Sequence, residues 1–197
     1  MLVFILGSAA VSLKHGILGL LTYGAMSGYD ITKAFNQSLA FFWSAQTSQV
    51  YREIETMTAK RWIEVKEERQ RGHMVATVYA ITAEGREELM SWLRQPLEER
   101  ERERNPFLLR LFFQSMAGPE SMRLLVGQFK ERAEASAALL RETLDTVIPE
   151  RHRSVQDDLA TFCWSQAAAA GLAHYEAEAR WAEDCLAQLE VLNGGKS

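Results

Sequence analysis

The hydrophobic pattern in the first half of this chain changes period near residue 61, from the spacing of helices to the alternation of strands. Before that point, three stretches repeat apolar residues three and four positions apart, as amphipathic helices do. The predicted helices are residues 12–25, with Ser12 as N-cap, Tyr29 to about Leu39, and about Ala45 to Lys60. Their predicted inward residues are Leu13, Ile17, Leu20, Leu21, Ile31, Ala34, Phe35, Val50, Ile54 and Met57.

Two runs rich in β-formers follow the change of period, at Trp62–Glu67 and Val75–Ile81. Residues 69–72 between them predict a hairpin tip. Thr82 is then expected to cap a fourth helix that runs through Leu93. Its predicted inward residues are Leu89, Trp92 and Leu93. Three helices, a two-stranded hairpin and a fourth helix within about 80 residues give the element order of a winged helix-turn-helix domain. The predicted fold class is therefore mostly α.

The second half of the chain is predicted to be helical throughout. Residues 96–106 form a charged segment between two prolines, in which arginines alternate with glutamates, and this pattern predicts a solvated linker. Helices are expected at about 106–116, at 120–147 with a stop at Pro149, and at about 150–192. The two longer helices, joined by a short turn, predict an antiparallel pair.

Both long helices carry continuous apolar stripes. On the first, the stripe consists of Met122, Val126, Phe129, Ala133, Ala137, Leu140, Leu144 and Val147. On the second, it consists of Val155, Leu159, Phe162, Ala170, Ala173, Ala177, Trp181, Leu186 and Leu189. No third layer in the chain is long enough to cover both stripes, so we expect a homodimer. The predicted organisation is a winged helix-turn-helix domain at 1–95, the linker at 96–106 and a helical dimerisation domain at 107–192.

Charge and cysteine content narrow the functional classes. The net charge is −4, yet residues 1–95 carry ten basic and nine acidic side chains, while the remainder carries twelve against seventeen. The first half is therefore the better candidate for meeting a polyanion. Cys163 and Cys185 lie 22 residues apart in one predicted helix, which excludes a disulfide between them within one chain and fits small buried side chains. No apolar run is long enough for a membrane span, and we expect a cytoplasmic protein.

Five short motifs occur in order along the first half of the chain: Ile17–Leu21, Ser27–Ile31, Phe42-Trp43, Val50-Tyr51, and Tyr79–Gly85 followed by Leu89 and Trp92-Leu93. In sequence and spacing, residues 13–93 resemble the PadR family of bacterial transcriptional regulators. The helical tail is similar to the branch of that family with an extended C-terminal dimerisation domain. The resemblance implies a sequence-specific, homodimeric DNA-binding regulator that acts as a repressor on a palindromic operator in double-stranded DNA.

In helix-turn-helix proteins the second helix of the motif enters the major groove, and its first residues reach the base edges. In this chain that helix presents Gln46, Thr47, Ser48, Gln49 and Arg52. Glutamine can bond adenine through two hydrogen bonds, and arginine suits guanine or phosphate. The resemblance also places Tyr29 and Tyr51 near the DNA backbone, although simple packing with a hydrated hydroxyl explains both tyrosines equally well.

The predicted hairpin departs from the family pattern. The family commonly has a basic pair before the tyrosine of the second strand, whereas this chain has Met74 to Val78 there. Lys66, Arg69, Arg71 and His73 are the predicted phosphate contacts of the hairpin instead. Fewer cations mean fewer neutralised phosphates, which lowers the expected DNA affinity. An alternative function follows, namely a helical interaction or ligand-sensing module whose hairpin no longer holds DNA.

The resemblance also implies control by a small molecule, in the namesake members an aromatic acid. The candidate effector-binding residues are Phe112, Phe113, Phe162, Trp164, His174, Tyr175 and Trp181. Packing in the core or along a dimer seam remains the competing interpretation for each of them. The sequence has no zinc-ligand spacing, no glycine-rich phosphate loop and no nucleophile elbow, so we expect neither an enzyme, a metal site nor a cofactor.

Overall fold

The computed structural model describes residues 7–38, 43, 45–71, 74–96 and 105–194. The chain divides into two compact units, Met1–Glu99 and Arg100–Ser197. The elements of the N-terminal unit are α1 (Gly7–Leu21), β1 (Met26–Ser27), α2 (Gly28–Ser38), α3 (Thr47–Ala59), β2 (Ile63–Arg71), β3 (Met74–Ile81) and α4 (Ala83–Leu93). This order confirms the predicted winged helix-turn-helix domain.

The sheet of the N-terminal unit has one strand more than predicted. Its order is β1-β3-β2, with both pairs antiparallel. The added strand is only two residues long: Met26 pairs with Tyr79 and Ser27 with Val78. The sequence does not predict this strand, because two residues have no period to recognise. Strand β2 also runs through Arg71, so residues 69–71 are strand rather than hairpin tip.

The core of this unit matches the predicted inward positions closely. All the predicted apolar residues of α1 and α3, together with Ile31 and Phe35 of α2 and Leu89 of α4, are buried in one cluster, against which Ala34 and Trp92 pack. Two predictions at helix ends are wrong. Ser12 lies inside α1, because the helix begins at Gly7. Leu93 is 59% exposed, because it is the last residue of α4 and lies beyond the packed part of that helix.

The junction between the sheet and α4 is tightly built. The side chain of Thr82 accepts a hydrogen bond from the backbone N–H of Gly85 over 3.1 Å and donates one to the carbonyl oxygen of Arg61 over 2.7 Å. The predicted cap is therefore confirmed. A Cβ atom added at Gly85 would collide with the carbonyl oxygen of Trp62. Glycine thus allows the first turn of α4 to approach the backbone that follows α3.

The C-terminal unit is helical wherever it is described. It consists of α5 (Pro106–Phe112), a 3₁₀ turn (Gln114–Ala117), α6 (Gly118–Glu142), a π-helical segment (Thr143–Val147), α7 (Ile148–Val155) and α8 (Asp158–Gly194). The long antiparallel helices are confirmed: Lys130 pairs with Glu183 and, further along α6, Arg141 pairs with Glu176, so residue numbers rise on one helix as they fall on the other.

The predicted stop at Pro149 is wrong. Proline occupies the first turn of α7, where its missing N–H is no loss, and the π-helical segment before it absorbs the change in backbone spacing. The chain reverses instead at Gln156, which adopts a left-handed conformation with φ 54°. The last helix therefore begins at Asp158 rather than near residue 150.

The two cysteines lie on α8 and differ in their exposure. Cys163 is exposed, contrary to the prediction of a buried side chain, whereas Cys185 is half-buried and burial raises the pKa of its thiol. Neither is in a disulfide.

Among the described helices, none combines the length and the apolar character that a membrane span requires. Within the described ranges, no group of His, Cys, Asp and Glu side chains is arranged to hold a metal ion.

Candidate nucleic-acid interface

The first helix of the helix-turn-helix, α2, has a fixed starting point. The Ser27 hydroxyl donates to Oδ2 of Asp30 over 2.7 Å, and the backbone N–H of Asp30 donates to Oγ of Ser27 over 3.2 Å. Serine before a helix with an acidic residue in its first turn satisfies an end N–H group and complements the helix dipole. The exposed Tyr29 is thereby held at a defined place at the start of α2.

The reading helix, α3, is oriented by its buried face. Val50, Ile54 and Met57 are at most 2% exposed and lock one side of the helix into the core. The opposite side therefore faces outward. The residues of α3 and its N-cap that are predicted to contact DNA are all exposed: Gln46, Thr47, Ser48, Gln49 and Arg52 at the bases and Tyr51 near the backbone. The structure thus brings them together on one surface at the beginning of α3.

The two glutamines on this surface form a capping box at the start of α3. The side-chain oxygen of Gln49 accepts a hydrogen bond from the backbone N–H of Gln46 over 2.9 Å. Bidentate recognition of adenine requires both ends of the glutamine amide. Gln49 can still offer its NH₂ group and one remaining lone pair to a base. The cap therefore holds both exposed glutamines at a defined place at the start of α3.

Gly28 is a functional candidate that the sequence analysis missed. A Cβ at this position would lie 2.7 Å from Cε1 and 3.2 Å from the hydroxyl oxygen of Tyr51. The ring of Tyr51 therefore crosses the start of α2 at a distance that only glycine permits. Tyr51 remains 45% exposed, so this contact fixes the ring without burying it. The Ser-Gly-Tyr sequence at a helix start was the available signal, but it does not reveal which ring fills the space.

The wing, the hairpin of β2 and β3, carries the charges of its described part on β2, which pairs with β3 in an irregular register. Val65 pairs with Tyr79 and Glu67 with Val78, so Lys66 is the extra residue of a β-bulge and is exposed. Near the tip, Arg69 pairs with Ala76 and Arg71 with Met74 through the backbone. His73 lies outside the described residues. The structure thus places Lys66 on the wing surface and Arg69 and Arg71 on the strand leading to the tip.

Two other cations of this unit are engaged elsewhere. The ammonium groups of Lys14 and Lys60 lie 4.7 Å and 4.5 Å from the ring centre of Trp62. Burial raises the pKa of Glu53, and the nearby charges of Lys60 and Lys14 partly offset that effect. These lysines therefore stabilise the packing of the domain and add little to a DNA-binding surface.

The predicted effector-binding aromatic residues do not form one group within the C-terminal unit. Phe162 and Trp181 are nineteen residues apart on α8, which corresponds to about 28 Å along a helix. Phe112 and Phe113 contact each other at 5.1 Å and are 80% and 57% exposed. Trp164 lies under the guanidinium group of Arg151, and His174 contacts Tyr175.

Two of these residues join aromatic rings that the sequence analysis did not select. Phe107 of α5 stacks on Phe129 of α6 with ring centres 3.9 Å apart, and Trp181 packs edge-on against both rings at 5.8 Å. Tyr175 lines a cleft beside the same pair. The contacts therefore unite α5, α6 and α8 around an aromatic centre, which sequence spacing alone cannot show because the rings come from three helices.

Two protein-family models together match most of the described chain. Residues 17–91 match the transcriptional regulator PadR-like family, and residues 103–190 match the virulence activator alpha C-terminal family. The negative transcriptional regulator PadR of Bacillus subtilis is 37% identical over 123 residues. Through residues 17–91, the chain belongs to the PadR-like family of transcriptional regulators. As a member, it is a regulator and not an enzyme, in agreement with the sequence analysis.

The curated relatives are matched only in part. The alignment with B. subtilis PadR covers 61% of this PadR-like chain and 66% of the relative, just under two thirds. A probable transcriptional regulator of Mycobacterium tuberculosis is 37% identical over 87 residues, which are 44% of this chain and 46% of the relative. The chain therefore spans less than two thirds of the length of each of these two curated relatives.

Solved structures extend the likeness over both units. B. subtilis PadR in complex with operator DNA superimposes with a TM-score of 0.77 and 28% identity, covering 90% of this chain and 97% of that one. The same protein in complex with p-coumaric acid gives 0.68 and 26%, with 90% and 98% covered. The Vibrio cholerae virulence activator AphA gives 0.69 and 28%, with 91% and 99% covered. The PadR-like chain therefore has the same fold in both units.

Proposed function

We propose that this PadR-like regulator binds operator DNA in the cytoplasm as a homodimer, represses transcription, and is released by a small aromatic effector. The observation that carries the proposal is the outward face of α3, where Gln46, Thr47, Ser48 and Arg52 are exposed while the opposite face is locked into the core. Such a helix can enter the major groove with its first residues against the base edges. Repression is the direction supported by the relative described as a negative regulator.

The dimer is supported by the apolar surface of the C-terminal unit. Large hydrophobic side chains are exposed on α5, α6 and α8, among them Leu109, Phe112, Leu139 and Leu159. So many exposed large hydrophobic side chains in one unit are unusual for a monomer and favour an association site. A two-fold dimer presents two copies of α3 to two half-sites, so the expected operator is palindromic.

Replacement of Arg52 by alanine tests the reading helix. If Arg52 reads a base, Arg52→Ala should weaken binding to a site selected from random sequence by about 1–3 kcal/mol and change binding to random DNA much less. Equal losses on both would assign Arg52 to a phosphate. Arg86→Ala, on the exposed surface of α4 outside the motif, is the matched control and should alter neither. Unchanged binding in Arg52→Ala would contradict the proposed position of α3.

The wing is tested separately through the salt dependence of binding. Replacement of both Arg69 and Arg71 by alanine should lower the slope of log affinity against log salt by about 2 per subunit, because two fewer counterions are released. Sequence preference should survive, since backbone contacts carry no base identity. If His73 faces a phosphate, binding should also tighten below a pH of about 6.5. An unchanged slope would leave α3 to bind alone.

One observation in the wing supports the alternative function, a helical ligand-sensing module. Glu64, Glu67 and Glu68 are all exposed beside Lys66 on β2, and their charges oppose phosphate binding. A salt-titrated binding assay on the DNA upstream of the chain's own gene separates the two functions. Sequence-dependent binding that weakens with salt supports the regulator, whereas its absence at low salt would support the sensing module.

A further inference from the structure

Gly28 occupies the junction between the wing and the helix-turn-helix. On its N-terminal side, Ser27 pairs with Val78 of the wing strand β3. On its C-terminal side, Gly28 begins α2, and its carbonyl oxygen accepts a hydrogen bond from Oγ1 of Thr32 over 2.9 Å. The residue is buried, so its backbone is held in place from both directions. A group that is fixed against Gly28 is therefore fixed relative to the wing as well as to α2.

The backbone of Gly28 does not itself require glycine. Gly24 and Gly118 are the described glycines with a positive φ, and Gly28 is not among them. Within a helix, glycine is less stable than alanine because it loses more conformational entropy on folding. The local backbone thus favours alanine at this position, and the reason for glycine lies in its surroundings.

The space beside Gly28 is taken by a side chain of the reading helix. The three atoms nearest to an added Cβ all belong to Tyr51 of α3: Cε1 at 2.7 Å, Cζ at 3.1 Å and the hydroxyl oxygen at 3.2 Å. These atoms form the far end of a side chain that is 45% exposed. A methyl group at this position would therefore push the ring aside into solvent and leave the backbone of both helices in place.

The contact holds the Tyr51 hydroxyl at the start of α2. In helix-turn-helix proteins the second helix lies in the major groove while the first helix crosses the DNA backbone. A hydroxyl that belongs to the second helix and rests on the first therefore lies where the phosphates pass. Tyrosine is among the side chains that donate hydrogen bonds to phosphate oxygens, and such bonds set the position of a protein on the duplex.

The end of α2 does not offer a phosphate site of its own. The Asp30 carboxylate accepts a hydrogen bond from the Ser27 hydroxyl there, and its charge opposes a second anion at this helix end. A phosphate donor at this junction has to be a side chain, and the Tyr51 hydroxyl is the donor that Gly28 holds there.

We propose that Gly28 is a positioning residue for DNA binding, which leaves room for the Tyr51 ring and so holds the Tyr51 hydroxyl against a phosphate of the operator. The inference rests on the proposed function, because it needs α3 in the major groove. It assigns to Gly28 a role in affinity rather than in backbone conformation. Replacement of Gly28 by alanine should therefore weaken DNA binding through Tyr51, while the domain stays folded.

The proposal is tested by comparing Gly28→Ala, Tyr51→Phe and the double variant of the full chain on a DNA site selected from random sequence. Each single variant should weaken binding about tenfold, since both remove one hydrogen bond to a charged phosphate. The double variant should bind no more weakly than Tyr51→Phe alone, because no hydroxyl is left to displace. The thermal unfolding midpoint of Gly28→Ala should equal that of wild type or lie slightly above it.

Two further readouts separate a displaced hydroxyl from a distorted domain. The loss should be equal on the selected site and on random DNA, because a phosphate contact carries no base identity, whereas a shifted α3 would lose more on the selected site. The slope of log affinity against log salt should stay unchanged, because a neutral hydroxyl releases no counterion. Gly19→Ala on α1 is the matched control: its added Cβ meets nothing within 4 Å, and it should bind DNA as wild type does.

Three results would overturn the proposal. The first is unchanged DNA binding by Gly28→Ala, or losses that add in the double variant. The second is unchanged binding by Tyr51→Phe, which keeps the ring and removes only the hydroxyl, and which decides the phosphate contact even if Gly28→Ala folds poorly. The third is a lowered unfolding midpoint of Gly28→Ala that is not restored when Tyr51→Ala removes the ring.

Binding by wild type separates this inference from the proposed function. A wild-type chain that binds no DNA at low salt would contradict both. Sequence-dependent binding by wild type that Gly28→Ala leaves untouched would contradict the inference alone.

Discussion

The two units of this chain bury their hydrophobic residues very differently. In the N-terminal unit, large aliphatic and aromatic side chains from four helices and the sheet form one closed core. In the described part of the C-terminal unit, four of the eight buried hydrophobic residues are alanines of α6 and α8. Thirteen large hydrophobic side chains of the same part are exposed. The first unit is complete within one chain, whereas the second has the surface of a protein that is half of an assembly.

Truncating one large apolar side chain in each unit should give the largest difference. Ile54→Ala removes a side chain that is 2% exposed and should cost about 3–4 kcal/mol of unfolding free energy through the cavity it leaves. Leu159→Ala, at 72% exposure, would cost almost nothing in a monomer. If a second copy covers α8, we expect about 1–2 kcal/mol, shrinking as the protein is diluted and the dimer dissociates. Denaturant unfolding at several concentrations measures both.

Adding one methyl group to a glycine in each unit should also separate them. Gly85→Ala forces a Cβ against the carbonyl oxygen of Trp62 and should destabilise the N-terminal unit by about 3 kcal/mol. Gly127→Ala meets nothing within 4 Å on α6 and should raise stability by about 0.5–1 kcal/mol through helix propensity. A destabilised Gly127→Ala variant would mean that a partner approaches α6 at this residue.

Removing a helix cap should have a smaller effect, again larger in the first unit. Thr82→Ala loses a cap bond to Gly85 and a bond to Arg61, and should cost about 1–2 kcal/mol in thermal unfolding. Asn105 caps α5 through one hydrogen bond, to the N–H of Leu108 over 3.0 Å, in an exposed position. Asn105→Ala should cost no more than about 1 kcal/mol. The reverse order would contradict the closed packing of the first unit.

The smallest expected effect depends on pH. The hydrogen bond from Lys14, 2.7 Å long, holds the pKa of Glu88 below its usual value, and the nearby His15 acts in the same direction against the opposing effect of burial. This pair therefore stabilises the fold above a pH of about 4.3, and its contribution disappears as the pH falls through the lowered pKa. Glu88→Gln should cost less than about 1 kcal/mol at neutral pH and flatten the acid limb of the stability profile.

Glu53 provides the opposite case for comparison. Because burial raises its pKa, the charged carboxylate opposes folding above the ordinary value, and protonation relieves that cost. Glu53→Gln should therefore increase stability at neutral pH. Stability profiles that shift in the same direction for Glu53→Gln and Glu88→Gln would contradict these assignments.

The sequence predicted most of the N-terminal unit because period and burial agree there. The predicted buried residues of α1 and α3 are correct, because a closed core buries every apolar residue on one face of a helix. The two-residue strand β1 and the start of α1 were missed because neither has a local signal. In the C-terminal unit the π-helical segment before Pro149 carries the helix past a residue that usually ends one.

The candidate sites were predictable to different degrees. The exposed face of α3 follows from helical spacing, since Val50, Ile54 and Met57 define the buried side. The contact between Gly28 and Tyr51 and the stack of Phe107 on Phe129 join residues far apart in sequence, and no periodicity reports such pairs. Spacing identifies a surface, whereas a cleft requires the positions of several helices.

Sedimentation equilibrium of the full chain at micromolar concentration tests most directly whether the open apolar face of the C-terminal unit is covered by a second copy. We expect a species of twice the 22.3 kDa chain mass, and a monomer for a fragment that ends at Pro96, whose core is complete without the second unit. A full chain that sediments as a folded monomer would contradict the proposed dimer, since thirteen large hydrophobic side chains of the described C-terminal unit would then remain in water.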